Sequence, residues 1–242
     1  MPRKTAPSKK TKRIGNMFEN VHVEHLLVVT GPTSSGKSTL LALIENGSVE
    51  GDILSVLPEN VFGWKQFCHR EYDGTLASTK DNPLKGLILH YDFMRPFKKF
   101  LKGYEDDVIS TLIDRASKVT ILIIKTDAGV LLEQLKKGEL DGKALETAPA
   151  NQALRKLFTR TLHIMPSGIR SSIKKKLFPN RKMAVTDFNK VLYFKYQEQG
   201  WVDDWYHKFD RFLDDKVLAG ADISRHFVQA ARDKRKEWKV LQ

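Results

Sequence analysis

Apolar residues in this chain come in short, continuous runs. His25-Leu-Leu-Val-Val-Thr30 is the first, and Gly86-Leu-Ile-Leu-His-Tyr-Asp92 and Val119-Thr-Ile-Leu-Ile-Ile-Lys125 repeat it. Runs of this length, apolar throughout and rich in β-branched residues, suit strands buried on both faces. Each is followed by residues with helical character. Ser38–Glu45 is an apolar-rich helix, and a basic helix is expected from Pro96 to about Lys102. Glu105–Lys118 is amphipathic, with Val108, Ile109, Leu112 and Ile113 on one side, and Val130–Lys137 is a short helix. Strand–helix units over 25–45, 86–102 and 119–137 predict an α/β fold. Its sheet is mainly parallel with helices on both faces, a three-layer α/β/α arrangement. A further strand is expected near Ile53–Leu57 or Val61–Trp64, and a last short one over Met183–Asp187.

The C-terminal third has a different pattern. Trp201, Trp205, Phe209, Phe212 and Leu213 recur at helical spacing within Val191–Asp215, which reads as core packing rather than a platform for stacking bases. Asp222 is placed to cap a final helix reaching about Leu241, so this third is expected to be helical. Gly47 is placed to end the helix over Ser38–Glu45 in a left-handed conformation.

Composition narrows the setting. A chain of 242 residues can bury one full α/β core. No run approaches the roughly 18 to 20 apolar residues of a membrane span. The basic N-terminus lacks the apolar stretch of a secretory signal. The single cysteine, Cys68, forms no internal disulfide and suits a reducing, cytoplasmic setting. The net charge of +12 is local: residues 1–13 hold six Lys or Arg and no acid, and residues 151–182 hold nine and no acid. Elsewhere acidic residues slightly outnumber basic ones. Residues 1–13 read as a disordered basic tail. Both segments suit nucleic acid or another anionic partner, and both are equally what solvated basic faces look like.

Between the first strand and the first helix, Gly31 to Ser38 reads Gly-Pro-Thr-Ser-Ser-Gly-Lys-Ser and fits the P-loop pattern G-x-x-x-x-G-K-[ST]. Gly31 and Gly36 let the backbone approach a phosphate chain. The backbone of Pro32, Thr33, Ser34 and Ser35, with Thr39 in the first helical turn, would wall the anion beside the positive end of the helix dipole. Lys37 can reach the β- and γ-phosphates, and Ser38 can offer its hydroxyl to Mg²⁺. Asp92, at the end of an apolar strand, can hold water on that metal or cap the next helix. Arg95 either reaches a phosphate or faces solvent. His90 has no second ligand at metal spacing and reads as an ordinary strand residue. Phe67–Asn82 is polar and suits an excursion over the nucleotide or acceptor site. Arg155 and Arg160 lie in a segment, 138–182, that reads as a mobile lid, an anion platform or a solvated face.

The glycine loop resembles the P-loop NTPase superfamily, and the layout is most similar to nucleotide and small-metabolite kinases. These share a P-loop, a strand ending in Asp with a nearby Arg and Pro, a strand leading into a helix, and an Arg-bearing lid. Gly31–Ser38, Leu87–Pro96, Thr120–Leu135 and Arg155–Arg160 occupy those places here. The order Asp-Phe-Met-Arg-Pro departs from the Asp-Gly-Phe-Pro-Arg of adenylate kinase-like enzymes, and no close Arg pair follows Lys125. The resemblance implies one P-loop NTPase domain over 14–242, with ATP and Mg²⁺ as cofactors. It implies a kinase-like phosphotransferase in which Lys37, Asp92, Arg155 and Arg160 serve catalysis and Ser38 and Asp92 hold the metal. The acceptor is not specified. The other reading is an ATPase or nucleotide-switched protein acting on nucleic acid or an anionic partner.

Overall fold

The computed structural model describes residues 18, 20–68, 76–93, 106–138, 192–231 and 236–242. Its centre is a six-stranded sheet of β1 (Val23–Thr30), β2 (Lys65–Cys68), β3 (Leu84–Tyr91), β4 (Ala116–Ile124), β5 (Ile223–Ala230) and β6 (Trp238–Leu241). The spatial order is β2-β3-β1-β4-β5-β6. All pairings are parallel except β5 with β6, which is antiparallel. The chain is therefore an α/β protein with a mainly parallel sheet.

The three apolar runs are the three central strands, as continuous hydrophobicity requires. Alternate residues of β1 serve opposite faces. Leu26 and Val28 join one core, with Leu87, Leu89, Ile121 and Ile123. Helices α2 (Asp106–Ile113), α3 (Ala128–Gly138) and α4 (Trp201–Leu218) cover that face. Leu27 and Val29 join the other, where Leu40, Leu41 and Ile44 of α1 (Lys37–Glu45) pack with Ile53, Val61 and Trp238. The end of α1 is as expected. Gly47 has φ 62°, and N–H groups of Gly47 and Ser48 bond back to Ile44 and Leu43 carbonyls.

Two expectations are overturned. The C-terminal third is not helical throughout. Residues 192–197 and α4 are helical, but Ile223–Ala230 and Trp238–Leu241 are strands. Pairing of Val119–Ile124 with Ile223–Val228 fixes that segment, a tertiary effect that overrides its charged, helix-like composition. The second strand is neither Ile53–Leu57 nor Val61–Trp64. Short 3₁₀ turns occupy Asp52–Ser55 and Val61–Gly63, and the strand follows at Lys65–Cys68. Of Phe67–Asn82, read as an excursion over the site, residues 69–75 lie outside the described residues, and residues 76–82 lie away from the carboxyl ends of the strands. Ser78 bonds to the Asn20 and His22 carbonyls at the opposite end of β1. The basic tail, Arg95 and the basic helix after it, the segment 139–182 with Arg155 and Arg160, and Met183–Asp187 lie outside the described residues.

Connections set where a ligand can sit. The chain leaves β1 towards β2 on one side, and leaves β4 towards β5 on the other. Adjacent parallel strands whose connections diverge open a crevice at their carboxyl ends.

Candidate functional site at the carboxyl ends of the central strands

The loop Gly31–Ser38 sits at that crevice. Gly31 adopts φ 153°, and a Cβ there would lie 2.7 Å from Ser35 Oγ and 3.1 Å from the Ile124 carbonyl. Gly36 is left-handed at φ 100° and begins α1, so no side chain caps the helix. The helical ladder starts with Leu40 N–H on the Gly36 carbonyl, at 3.0 Å. The N–H groups of Lys37, Ser38 and Thr39 precede it and face an acceptor from outside the helix. The first turn holds no acidic residue. The loop thus gathers donors and positive dipole without a carboxylate of its own helix to quench them.

Lys37 folds back across the loop. Its Nζ donates to the Gly31 and Pro32 carbonyls at 3.0 and 2.9 Å and lies 2.6 Å from Asp92 Oδ1. Lys37 is 5% exposed and Asp92 3%. Asp92 reaches this place because β3 lies directly beside β1, in a register that pairs Thr30 with Tyr91. A buried ion pair must offset the desolvation of both charges, so it is weak evidence of stability and better evidence of a site.

Thr33, Ser34, Gly36, Lys37, Ser38, Thr39, His90, Asp92 and Gln134 line one pocket of about 350 Å³. That volume is within the range of small-ligand sites. Ser38 is exposed within it, so its hydroxyl meets solvent, while Thr30 Oγ1 and Ser35 Oγ are buried without a hydrogen-bond partner among the described residues. Of the expected residues, Thr33, Ser34, Gly36, Lys37, Ser38, Thr39 and Asp92 are thus brought together, while Gly31, Pro32 and Ser35 are buried behind them. Arg155 and Arg160 are outside the described residues. Among the described residues no three or more His, Cys, Asp or Glu cluster in a way that could hold a metal ion. A hard cation here would take Ser38 and Asp92 together with oxygens of its ligand.

Gln134 also lines the pocket, with little in the sequence to mark it. Its signal was faint: a polar residue on α3 between buried Leu131 and Leu135. His90 belongs to the pocket wall as well as to the strand. The aromatic stripe is core, as expected, but Trp205 and two tyrosines outside the stripe do more. Tyr196 donates to the Thr33 carbonyl, Trp205 Nε1 to the Phe93 carbonyl, and Tyr206 to the Ile124 carbonyl. Burial pushes both tyrosine hydroxyls well above their ordinary range, so they remain neutral donors.

No described helix is long and apolar enough to cross a membrane. No family model matches the chain, and no curated protein or solved structure matches it either.

Proposed function

We propose that this chain binds a nucleoside triphosphate with Mg²⁺ through a P-loop and transfers its γ-phosphoryl group, as kinases do. The observation that carries the reading is the buried Lys37–Asp92 ion pair, set beside an uncapped helix N-terminus in one pocket. A polyphosphate fits each part of this arrangement. Gly31 and Gly36 hold positive-φ conformations that bring the loop backbone round to the helix start, and the loop donors and Lys37 complement negative charge.

Bound Mg²⁺, held through Ser38 and Asp92, would neutralise charge on the β- and γ-phosphoryl oxygens. The chain's own residues do the rest. Loop amides and the first turn of α1 fix the phosphate chain. Lys37 would turn from the loop carbonyls to the anion, which leaves the Asp92 carboxylate to hold the metal. His90 and Gln134 add polar groups that suit an acceptor hydroxyl beside the transferred group. Phosphoryl transfer asks mainly for positioning and charge, which this set supplies.

Thermal melting titrated with ATP and GTP, with and without Mg²⁺, tests the binding. A ligand at a hundred times its Kd stabilises the folded chain by about 2.7 kcal/mol. A metal-dependent rise is expected, and no response to any nucleotide overturns the reading. Label from the γ-position of ATP then separates transfer from hydrolysis. Label on an added small-molecule acceptor is expected, whereas label recovered only as inorganic phosphate makes the chain an NTPase.

A further inference from the structure

We propose that the buried aromatic tips of the C-terminal segment position the backbone at the carboxyl ends of the three strands around this pocket, and that Tyr196 is the positioning residue for the glycine loop. The inference rests on the phosphate-binding reading of that loop.

Three adjacent strands carry the site, and each continues into a backbone group held by this segment. Tyr196 donates to Thr33, after β1. Trp205 donates to Phe93, after β3 and next to Asp92. Tyr206 donates to Ile124 at the end of β4 and accepts the Thr126 N–H at 2.9 Å. All three side chains are buried, so these bonds exclude water and are expensive to leave unmade. Phenylalanine would fill the same space. What tyrosine and tryptophan add is a neutral donor, which brings no charge to compete with an anionic ligand.

The bond to Thr33 falls where the loop most needs holding. The next residue, Ser34, is left-handed at φ 71°, a conformation costly for a residue with a Cβ. Such strain persists only where the surroundings impose it. In a trans peptide the Ser34 N–H points opposite to the Thr33 carbonyl. Tyr196, by fixing that carbonyl, fixes the direction of the Ser34 donor. A flip of this one peptide would relieve Ser34 and turn the donor around.

Tyr196→Phe removes the donor and keeps the ring, including its contact with Trp201 at 5.4 Å between centroids. Two readouts are taken: the dissociation constant for Mg-ATP and hydrogen exchange of the 31–39 segment. About tenfold weaker binding is expected, with faster exchange confined to that segment. Leu213→Val, further along α4 and in none of these bonds, gives the comparison for a structural role. It lowers the melting temperature and leaves affinity and loop exchange as in wild type. If Tyr196→Phe binds Mg-ATP as wild type does, or loses affinity only as far as Leu213→Val does, the positioning role is wrong. If wild type itself binds no nucleotide, the phosphate reading fails. The exchange measurement still decides whether Tyr196 holds the loop, and unchanged exchange overturns that as well.

Discussion

At the amino ends of the strands, polar side chains bond one another. Ser78 Oγ accepts the His22 N–H and donates to the His22 carbonyl, both at 2.7 Å. Arg115 meets the His22 ring at 3.0 Å, and His25 Nε2 meets Thr120 Oγ1 at 2.8 Å. The Trp64 ring packs against Gly86. At the carboxyl ends polar groups are handled differently. A lysine and an aspartate are buried as a pair, two hydroxyls have no partner among the described residues, and Ser34 is strained. The amino end reads as structure completed by its own groups. The carboxyl end keeps charge, donors and strain beside a pocket, a combination that stability alone does not favour.

The sharpest way to break the comparison is to remove one charge of the buried pair. Lys37→Ala removes the cation 2.6 Å from buried Asp92, and loss of about 3–5 kcal/mol is expected. Asp92→Asn added to Lys37→Ala removes the buried anion as well and restores most of that stability. Nucleotide-induced stabilisation stays absent in both, because the cation for the anion is gone. Denaturant unfolding with and without Mg-ATP measures both effects. If the double variant regains binding along with stability, the pair is structural and the two ends of the sheet are alike.

An injury to the amino end should do the reverse. A Cβ on Gly86 would lie 2.1 Å from atoms of the Trp64 ring, so Gly86→Ala forces the indole off the strand. Overpacking of this kind costs about 1–3 kcal/mol. The expected result is a lower melting temperature with the Mg-ATP dissociation constant unchanged. Weaker binding in proportion to lost stability would show that the two ends are coupled through β3.

How much of this was legible depends on how local each signal was. Gly31–Ser38 carries its own geometry, since two glycines, a lysine and a serine at fixed spacing need only a strand before and a helix after. Asp92 was legible because an apolar strand in an α/β protein ends where ligands bind. Lys65–Cys68 was hidden by being an edge strand, where Lys65 and Gln66 replace the apolar run. Ile53 and Val61 drew the eye instead, yet they are buried from 3₁₀ turns, and left-handed Asn60 interrupts the chain just before Val61. β5 and β6 were illegible because their strand character comes from pairing with β4 and each other. The hydroxyl and indole contacts to the loops were illegible for the same reason. Tyr196 and Thr33 are 163 residues apart, and a stripe of aromatic residues looks the same whether its tips are used or not.

The smallest expected effect is a titration at the amino end. Burial, with Lys118 adding to it, holds His25 below its ordinary pKa, although Asp222 opposes the shift. The folded state therefore favours neutral His25, and the unfolded chain takes up the proton first as pH falls. Its contribution is complete above the unfolded pKa, near 6.5, and is lost as pH drops through the lower folded value. His226 on β5 is shifted down by burial too, with the same sign. Melting temperature followed from pH 7.5 to 5.0 should fall, and His25→Gln should flatten the slope only in part, because His226 remains. An unchanged slope in His25→Gln would mean that the hydrogen bond to Thr120 survives protonation. The amino end would then be less closed than its geometry indicates.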